Sequence, residues 1–269
     1  KALLALYDRS IARNQFIPAR VAREVSMLSK EIARQIGIII DRVGRITHVI
    51  VGDAHQIFIP DLSRHRAGKA RFRGLRLIHT HLRSENLNQD DLTDLVLLQL
   101  DCIVVLQVAK DGLPRGIELG YLNPNDDQDG EEPWIVEKKP SVYDWPDDYL
   151  AFISDLENQF SKKDRSKKLE GKESVLLIGV GIGNKNETVA SLEELKRLAQ
   201  TADLHVISTE IQMRKKVDGK FIVGKGKLQE LLIKAMYYKA DALIFDQELS
   251  PSQLRNIAVA TELKVVDRS

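Results

Sequence analysis

Ser174–Val180 reads SVLLIGV, apolar almost throughout. A strand with one wet face alternates polar and apolar residues. An unbroken run is the pattern of a strand covered on both faces, as in a parallel sheet between helices. The sequence beyond it repeats that logic. Ser191 opens a helix with Glu194 completing a capping box, and Leu192, Leu195, Ala199 and Ala202 form its stripe. Leu204–Thr209 is a strand, and Leu228, Leu231, Leu232 and Ala235 stripe a second helix. After the strand Ala242–Phe245 comes Ser250-Pro251-Ser252-Gln253: a cap, a proline at the first helical position and a glutamine at the third. Leu254, Ile257, Ala258 and Thr261 follow at helical spacing, then the strand Lys264–Val266. Strands alternating with helices predict a parallel α/β domain over 172–269, cut short after its last strand.

Upstream, Ser161–Lys172 (SKKDRSKKLEGK) has six basic and two acidic residues and Leu169 as its sole apolar one, the composition of a linker. Before it, an α+β domain is expected over 1–165. Val21, Val25, Leu28, Ile32 and Ile36 stripe a helix from about Pro18 to Gln35. A hairpin follows, Gly37–Ile40 and Ile46–Val51 around a turn at Asp41–Gly44, then a short strand Ile57–Ile59. Leu75–His79 is a strand, Asn88–Leu100 a helix with acidic residues at its start, and Ile103–Val108, Gly116–Leu122 and Trp134–Glu137 are strands. Asn125–Glu132 is an acidic loop and Tyr149–Phe160 a closing helix.

The 269 residues carry 40 Lys+Arg against 39 Asp+Glu, which excludes a uniformly basic nucleic-acid binder and an acidic disordered chain. Any nucleic-acid surface must therefore be a local patch. No apolar run reaches the ~18 residues of a membrane span. The one cysteine, Cys102, leaves no intrachain disulfide and no Cys-rich zinc site; beside an apolar strand it reads as a packed thiol. The chain starts at Lys1 with no signal-peptide pattern after it, so a cytoplasmic location and a longer parent chain are expected.

Glu193–Ala202 (EELKRLAQTA), Gln212-Met213-Arg214, Phe221–Lys227 (FIVGKGK), Glu230-Leu231, Phe245–Asn256 (FDQELSPSQLRN) and Val266-Asp267-Arg268 together resemble the N-terminal, nucleotide-associated domain of the HflX translational GTPases. Gln35–Gly52 (QIGIIIDRVGRITHVIVG) and Leu75–Asp94 (LRLIHTHLRSENLNQDDLTD) resemble the extra domain of the extended HflX subfamily. The resemblance implies a parent that continues into a helical segment and a GTPase domain using GTP and Mg. That family binds the large ribosomal subunit and its RNA and splits or recycles ribosomes under stress. This chain would supply RNA docking and regulation of the GTPase domain as a monomer, with no hydrolysis of its own.

The residues themselves offer four chemistries. Gly219–Gly226 matches G-x-x-x-x-G-K and then fails, because Gly226 stands where a magnesium-binding hydroxyl is needed; Asp218-Gly219 signals a hairpin turn and Phe221-Ile222-Val223 a strand. Gly179, Gly181, Gly183 and Asn184 sit between a strand and a helix but miss the G-x-G-x-x-G spacing, so a plain turn competes with a contact to ATP or GTP. Arg214, Lys215, Lys216, Lys220, Lys225 and Lys227 crowd a protruding stretch, and Arg71 and Arg73 belong to a second basic run, Ser63–Arg76. Both suit RNA phosphates, although solvated charge runs look the same. Finally, His79 and His81 close a strand and face the same side, with Asp91 at the next helix start. The spacing resembles the H-x-H-x7-S-x-x-D motif of MPN/JAMM metalloproteases, one residue short and with Asn88 for Ser, and the element order is MPN/JAB-like. Zinc on His79, His81 and Asp91, with Glu31 or Glu24 of the long helix activating water, is the enzyme alternative; a hydrogen-bonded His pair is the plain one. A stand-alone ATP/GTP sensor is a further alternative.

Overall fold

The computed structural model describes all residues except 61, 63–71, 84, 126–131, 140, 144, 146–147, 169–170, 217–218, 262 and 269, and gives the backbone alone for 163–168. The chain divides into two compact units, Lys1–Lys163 and Asp164–Ser269. The fold is mixed α+β in the first and parallel α/β in the second, as the apolar patterning predicts.

In the first unit a helical turn, Leu4–Asp8, precedes α1 (Ala19–Ile32). Then come β1 (Ile36–Asp41), β2 (Ile46–Val51), β3 (Leu75–His81), α2 (Gln89–Leu97), β4 (Cys102–Val108), β5 (Pro114–Leu122), β6 (Trp134–Lys139) and α3 (Tyr149–Lys168). The sheet runs β2-β1-β3-β4-β5-β6, with β3 and β4 parallel and every other pair antiparallel. Strand β3 is buried along its whole length, which separates its side chains cleanly by face. Thr80 meets Ser29 of α1, Oγ1 to Oγ at 2.7 Å. Arg76, on the same face, donates to the carbonyls of Phe16, Gln15 and Asp41 and lies 4.1 Å over the Tyr149 ring of α3. The alternate residues His79 and His81 face the other way, toward α2, the crossover between β3 and β4.

Helix α3 ties itself to the sheet edge through Asp101. This fully buried carboxylate accepts from the Tyr149 hydroxyl, the Gly74 N–H and the Arg42 guanidinium, which also reaches Glu157 of α3 at 2.8 Å. Helix α3 continues past Phe160 to Lys168, through the stretch expected as linker. Lys, Arg and Asp residues make a segment polar without making it a poor helix, so composition alone does not separate a solvated helix from a loop. Ile57–Ile59 forms no strand. Asp53 instead turns the chain by accepting from the His55 and Gln56 N–H groups, and Ile57 folds over Gly37.

In the second unit, β7 (Ser174–Ile182), α4 (Lys185–Thr201), β8 (His205–Arg214), α5 (Lys225–Tyr238), β9 (Ala242–Phe245), α6 (Pro251–Thr261) and β10 (Lys264–Val266) form an all-parallel sheet, β10-β9-β7-β8. Leu176, Ile178, Leu231, Leu243, Phe245 and Ile257 fill one side of it. Val175, Leu177, Leu192, Leu195 and Ala199 fill the other, as SVLLIGV requires. Helix α4 starts at Lys185 rather than Ser191, because the Asn184 side chain accepts from the Asn186 N–H and caps it. Among the described residues no helix is long and apolar enough to cross a membrane.

Trp134 and Trp145 both lie in the first unit, so tryptophan fluorescence follows its unfolding alone. Asp101→Ala leaves Arg42 and the Tyr149 hydroxyl without their acceptor and is expected to cost about 3 kcal/mol or more in urea. The exposed Asp111→Ala, which loses its pair with Arg115 and the Leu113 N–H bond in a solvent-exposed turn, is expected to cost at most about 1 kcal/mol.

Candidate functional site

The carboxyl-terminal edge of the second unit's sheet gathers several candidate residues. Strand order reverses at the central strand: β7 has β8 on one side and β9 on the other. The ends of these strands therefore frame a topological switch point, where open α/β sheets bind ligands. Gly183 (φ +86°) and Asn184 make the turn there, and Ile182 pairs in register with Arg214 at the end of β8. Gly179 and Gly181, expected in the turn, lie within β7. A Cβ on Gly181 would stand 2.1 Å from Thr188 Oγ1 and 2.6 Å from Met213 Sδ, so this glycine serves the close approach of α4. Asn184 is occupied in capping α4, and its amide also donates to Glu187.

The basic stretch continues from this edge. Lys215, Lys216, Lys220 and Lys225 are exposed and Arg214 half-buried. The expected strand at Phe221-Ile222-Val223 is instead a tight turn. The Val223 N–H donates to the Phe221 carbonyl, and Ile222 sits between them at φ +62° with its side chain buried in the core. That backbone is costly for a β-branched residue, and core burial of Ile222 and Val223 is what holds it. Gly224 precedes α5 with its N–H on Gln212 Oε1, and Gly226 is inside the helix, so 219–226 does not fit a phosphate loop. Asp218 lies outside the described residues. Lys227 points back into the protein, 2.7 Å from both Glu210 and Glu230, with its side chain only 13% exposed. Sequence reasoning placed it with the other lysines because the partner, Glu210, is distant in the chain.

Residues of the FDQELSPSQLRN string brace this edge. Gln247 accepts from the Val180 N–H, and Asp246 pairs with Arg268, which also donates to Ser191 and Glu194. Ser250 and Gln253 cap α6 reciprocally. Asn256 holds the Lys220 carbonyl at 3.2 Å. The second basic run fares differently. Arg71 lies outside the described residues, Arg73 is half-buried with its N–H on the Gln99 carbonyl, and Arg76 is fully buried.

In the first unit the structure brings His79, His81 and Asp91 together, one ligand atom of each within 4.8 Å of the others. Asn88 and Asp91 form a capping box at the start of α2, which fixes the carboxylate against the strand. Burial, with His81 alongside, holds the His79 imidazole well below its usual range, so it is neutral. Burial raises the Asp91 carboxyl, and pushes Asp94, with Asp91 and Asp90 near it, up to about 6. Glu31 does not join the cluster. Helix α1 packs on the Thr80 face of β3, opposite the histidines; Glu31 is exposed there and Glu24 is engaged by Arg9 at 2.8 Å. Spacing along the sequence could not reveal which face of the sheet α1 covers. Burial, helped by Asp101, raises the Cys102 thiol, as suits a packed side chain.

Residues 189–269 match the model of the GTP-binding GTPase N-terminal family. The chain is 40% identical over 98 residues to the GTPase HflX of Alkalihalophilus pseudofirmus, covering 36% of this chain and 23% of that protein. It is 36% identical over 100 residues to the GTPase HflX of Lacrimispora saccharolytica (37% and 24%), and 30% identical over 84 residues to that of Escherichia coli (31% and 20%). The chain thus spans less than a quarter of the length of these curated relatives.

Burial opposes the charge of Glu210, but the hydrogen-bonded ammonium groups of Lys227 and Lys234 outweigh it and hold the carboxyl below its ordinary range. Such a pair stabilises the fold above the ordinary Glu value and is lost as pH falls through the lowered one. Glu210→Gln is expected to destabilise the second unit by about 1–3 kcal/mol at neutral pH and by much less in acid. Amide hydrogen exchange of β8 and α5 measures both; equal loss at the two pH values contradicts the ion-pair account.

Proposed function

We propose that the chain is the front of an extended-type HflX translational GTPase, its first 165 residues being the extra domain; the match of residues 189–269 to the GTP-binding GTPase N-terminal family supports this. In this reading it docks on the RNA of the large ribosomal subunit in the cytoplasm. It thereby helps the parent protein split or recycle ribosomes under stress. GTP and magnesium act in a GTPase domain of the parent, since 219–226 does not form a phosphate loop.

The observation that carries the reading is the family match, whose span includes the whole basic edge. Arg214, Lys215, Lys216, Lys220 and Lys225 are arranged there on short, braced connections. Their charges are spaced along a surface, and only Phe221 lies among them, so phosphate contacts dominate over base stacking. Lys227 contributes through Glu210 to the shape of the edge rather than to the RNA. The switch-point position of Gly183 favours one addition: a nucleotide phosphate, from ATP or GTP, at the turn beside Arg214.

Binding of the chain to purified large subunits is expected to weaken with salt. Lys215→Ala, Lys216→Ala and Lys225→Ala together are expected to reduce the salt slope by about 0.7–0.9 for each phosphate no longer neutralised. Unchanged affinity and slope in the triple variant would count against docking through this edge. Equilibrium dialysis with ATP and GTP tests the added nucleotide contact, and absence of saturable binding removes it.

A further inference from the structure

Three buried side chains in the first unit carry polar atoms that lack partners. Among the described residues, both ring nitrogens of His79, Nε2 of His81, and both amide atoms of Gln35 are buried without a hydrogen-bond partner. All three residues lie on one face of the sheet. His79 and His81 alternate with Thr80 on β3. Gly37 of β1 pairs with His79, and that register, carried two residues back, sets Gln35 opposite His81, its backbone bonded to Gly52 and Asp53 on the β2 side. A buried polar atom with no partner costs about 1–3 kcal/mol, and a fold does not ordinarily leave three adjacent imidazole nitrogens in that state.

The distances show what would satisfy them. Asp91 Oδ1 stands 3.3 Å from His79 Nε2, and Oδ2 stands 3.5 Å from His81 Nε2, yet neither approach is a hydrogen bond. Two ligands of one tetrahedral ion with bonds near 2.0–2.1 Å are themselves about 3.3 Å apart. The ring planes cross at 78°, so the two imidazoles are not stacked on each other. His81 Nδ1 lies 3.0 Å from the Glu85 carbonyl, the outer hydrogen bond that sets a ligand imidazole with Nε2 free for metal.

We propose that His79, His81 and Asp91 bind a zinc ion through Nε2, Nε2 and a carboxylate oxygen, with a water in the fourth position hydrogen-bonded to Gln35. The set is two imidazole nitrogens and one carboxylate oxygen, the borderline donors zinc favours over magnesium or calcium. The same geometry argues against hydrolysis. Proton removal from the bound water needs a base, and the amide of Gln35 is none. The buried carboxylate of Glu118, on this face of β5, is already engaged by the Leu87 N–H at 2.7 Å and faces Lys138 at 3.8 Å. Holding Leu87 beside the Asn88 cap, Glu118 is a positioning residue for Asp91. The ion would thus pin α2 onto β3 and β4. This inference stands apart from ribosome docking, and neither depends on the other.

The test is metal content and cobalt spectroscopy on the whole chain. Purified protein, stripped and reloaded with zinc and then desalted, is expected to retain one zinc per chain. His81→Gln and Asp91→Asn, each checked for an intact fold by tryptophan fluorescence, are expected to lose it. In Co(II)-loaded protein the intense visible bands of a tetrahedral centre are expected, and Gln35→Ala is expected to shift them while leaving stoichiometry unchanged. Folded wild-type protein that retains no zinc, or variants that retain it fully, would overturn the site. An unshifted spectrum in Gln35→Ala would overturn the role of Gln35.

Discussion

The first unit depends on the division of β3 into two buried faces. One face carries Arg76, Ile78 and Thr80 and is closed by α1 and α3; the other carries Leu77, His79 and His81 and is closed by α2. Burying polar groups on both faces is costly unless each has a partner. The Arg76 guanidinium meets its need with three carbonyls, and Thr80 with Ser29 and the Ile36 N–H. The histidines have Asp91 beside them, and the proposed cation would meet the rest of their need. The two faces of one strand thus differ in how their buried polar groups are satisfied.

The second unit shows the complementary arrangement. Its sheet is largely apolar inside, and its polar residues collect at the carboxyl edge, where they join loops to one another. Gln247, Asp246, Arg268, Asn256 and Gln212 each bond a backbone group or a charge on a different connection. The result is a braced edge from which short lysine-bearing segments project, the surface proposed to meet a polyanion. The strained backbone at Ile222 belongs to the same design, since a buried side chain fixes the turn from which Lys220 and Lys225 diverge.

Much of this was legible in the sequence. The apolar run at Ser174–Val180, the Ser250–Gln253 cap and the His-x-His spacing each have local causes, and each appears where the pattern places it. What was not legible depends on contacts between distant segments. Ser191 and Glu194 look like a helix cap but bind Arg268, while Asn184 caps α4 two turns earlier. Lys227 looks like one of six exposed cations until Glu210 folds against it. Glu31 looks within reach of the histidines until the sheet intervenes, and Gln35 carries no sequence signal because its burial without a partner among the described residues is visible only in the fold.

If the carboxyl edge of the second unit is a surface for ribosomal RNA, that edge must become shielded when large ribosomal subunits bind. Hydroxyl-radical footprinting of the chain, free and in complex with the subunits, reads this shielding residue by residue. Protection is expected to concentrate in 183–184 and 214–225, with the amino-terminal ends of the same strands unchanged. Protection on the opposite edge of the sheet, or none at 214–225 in a complex that forms, would rule out docking through these lysines.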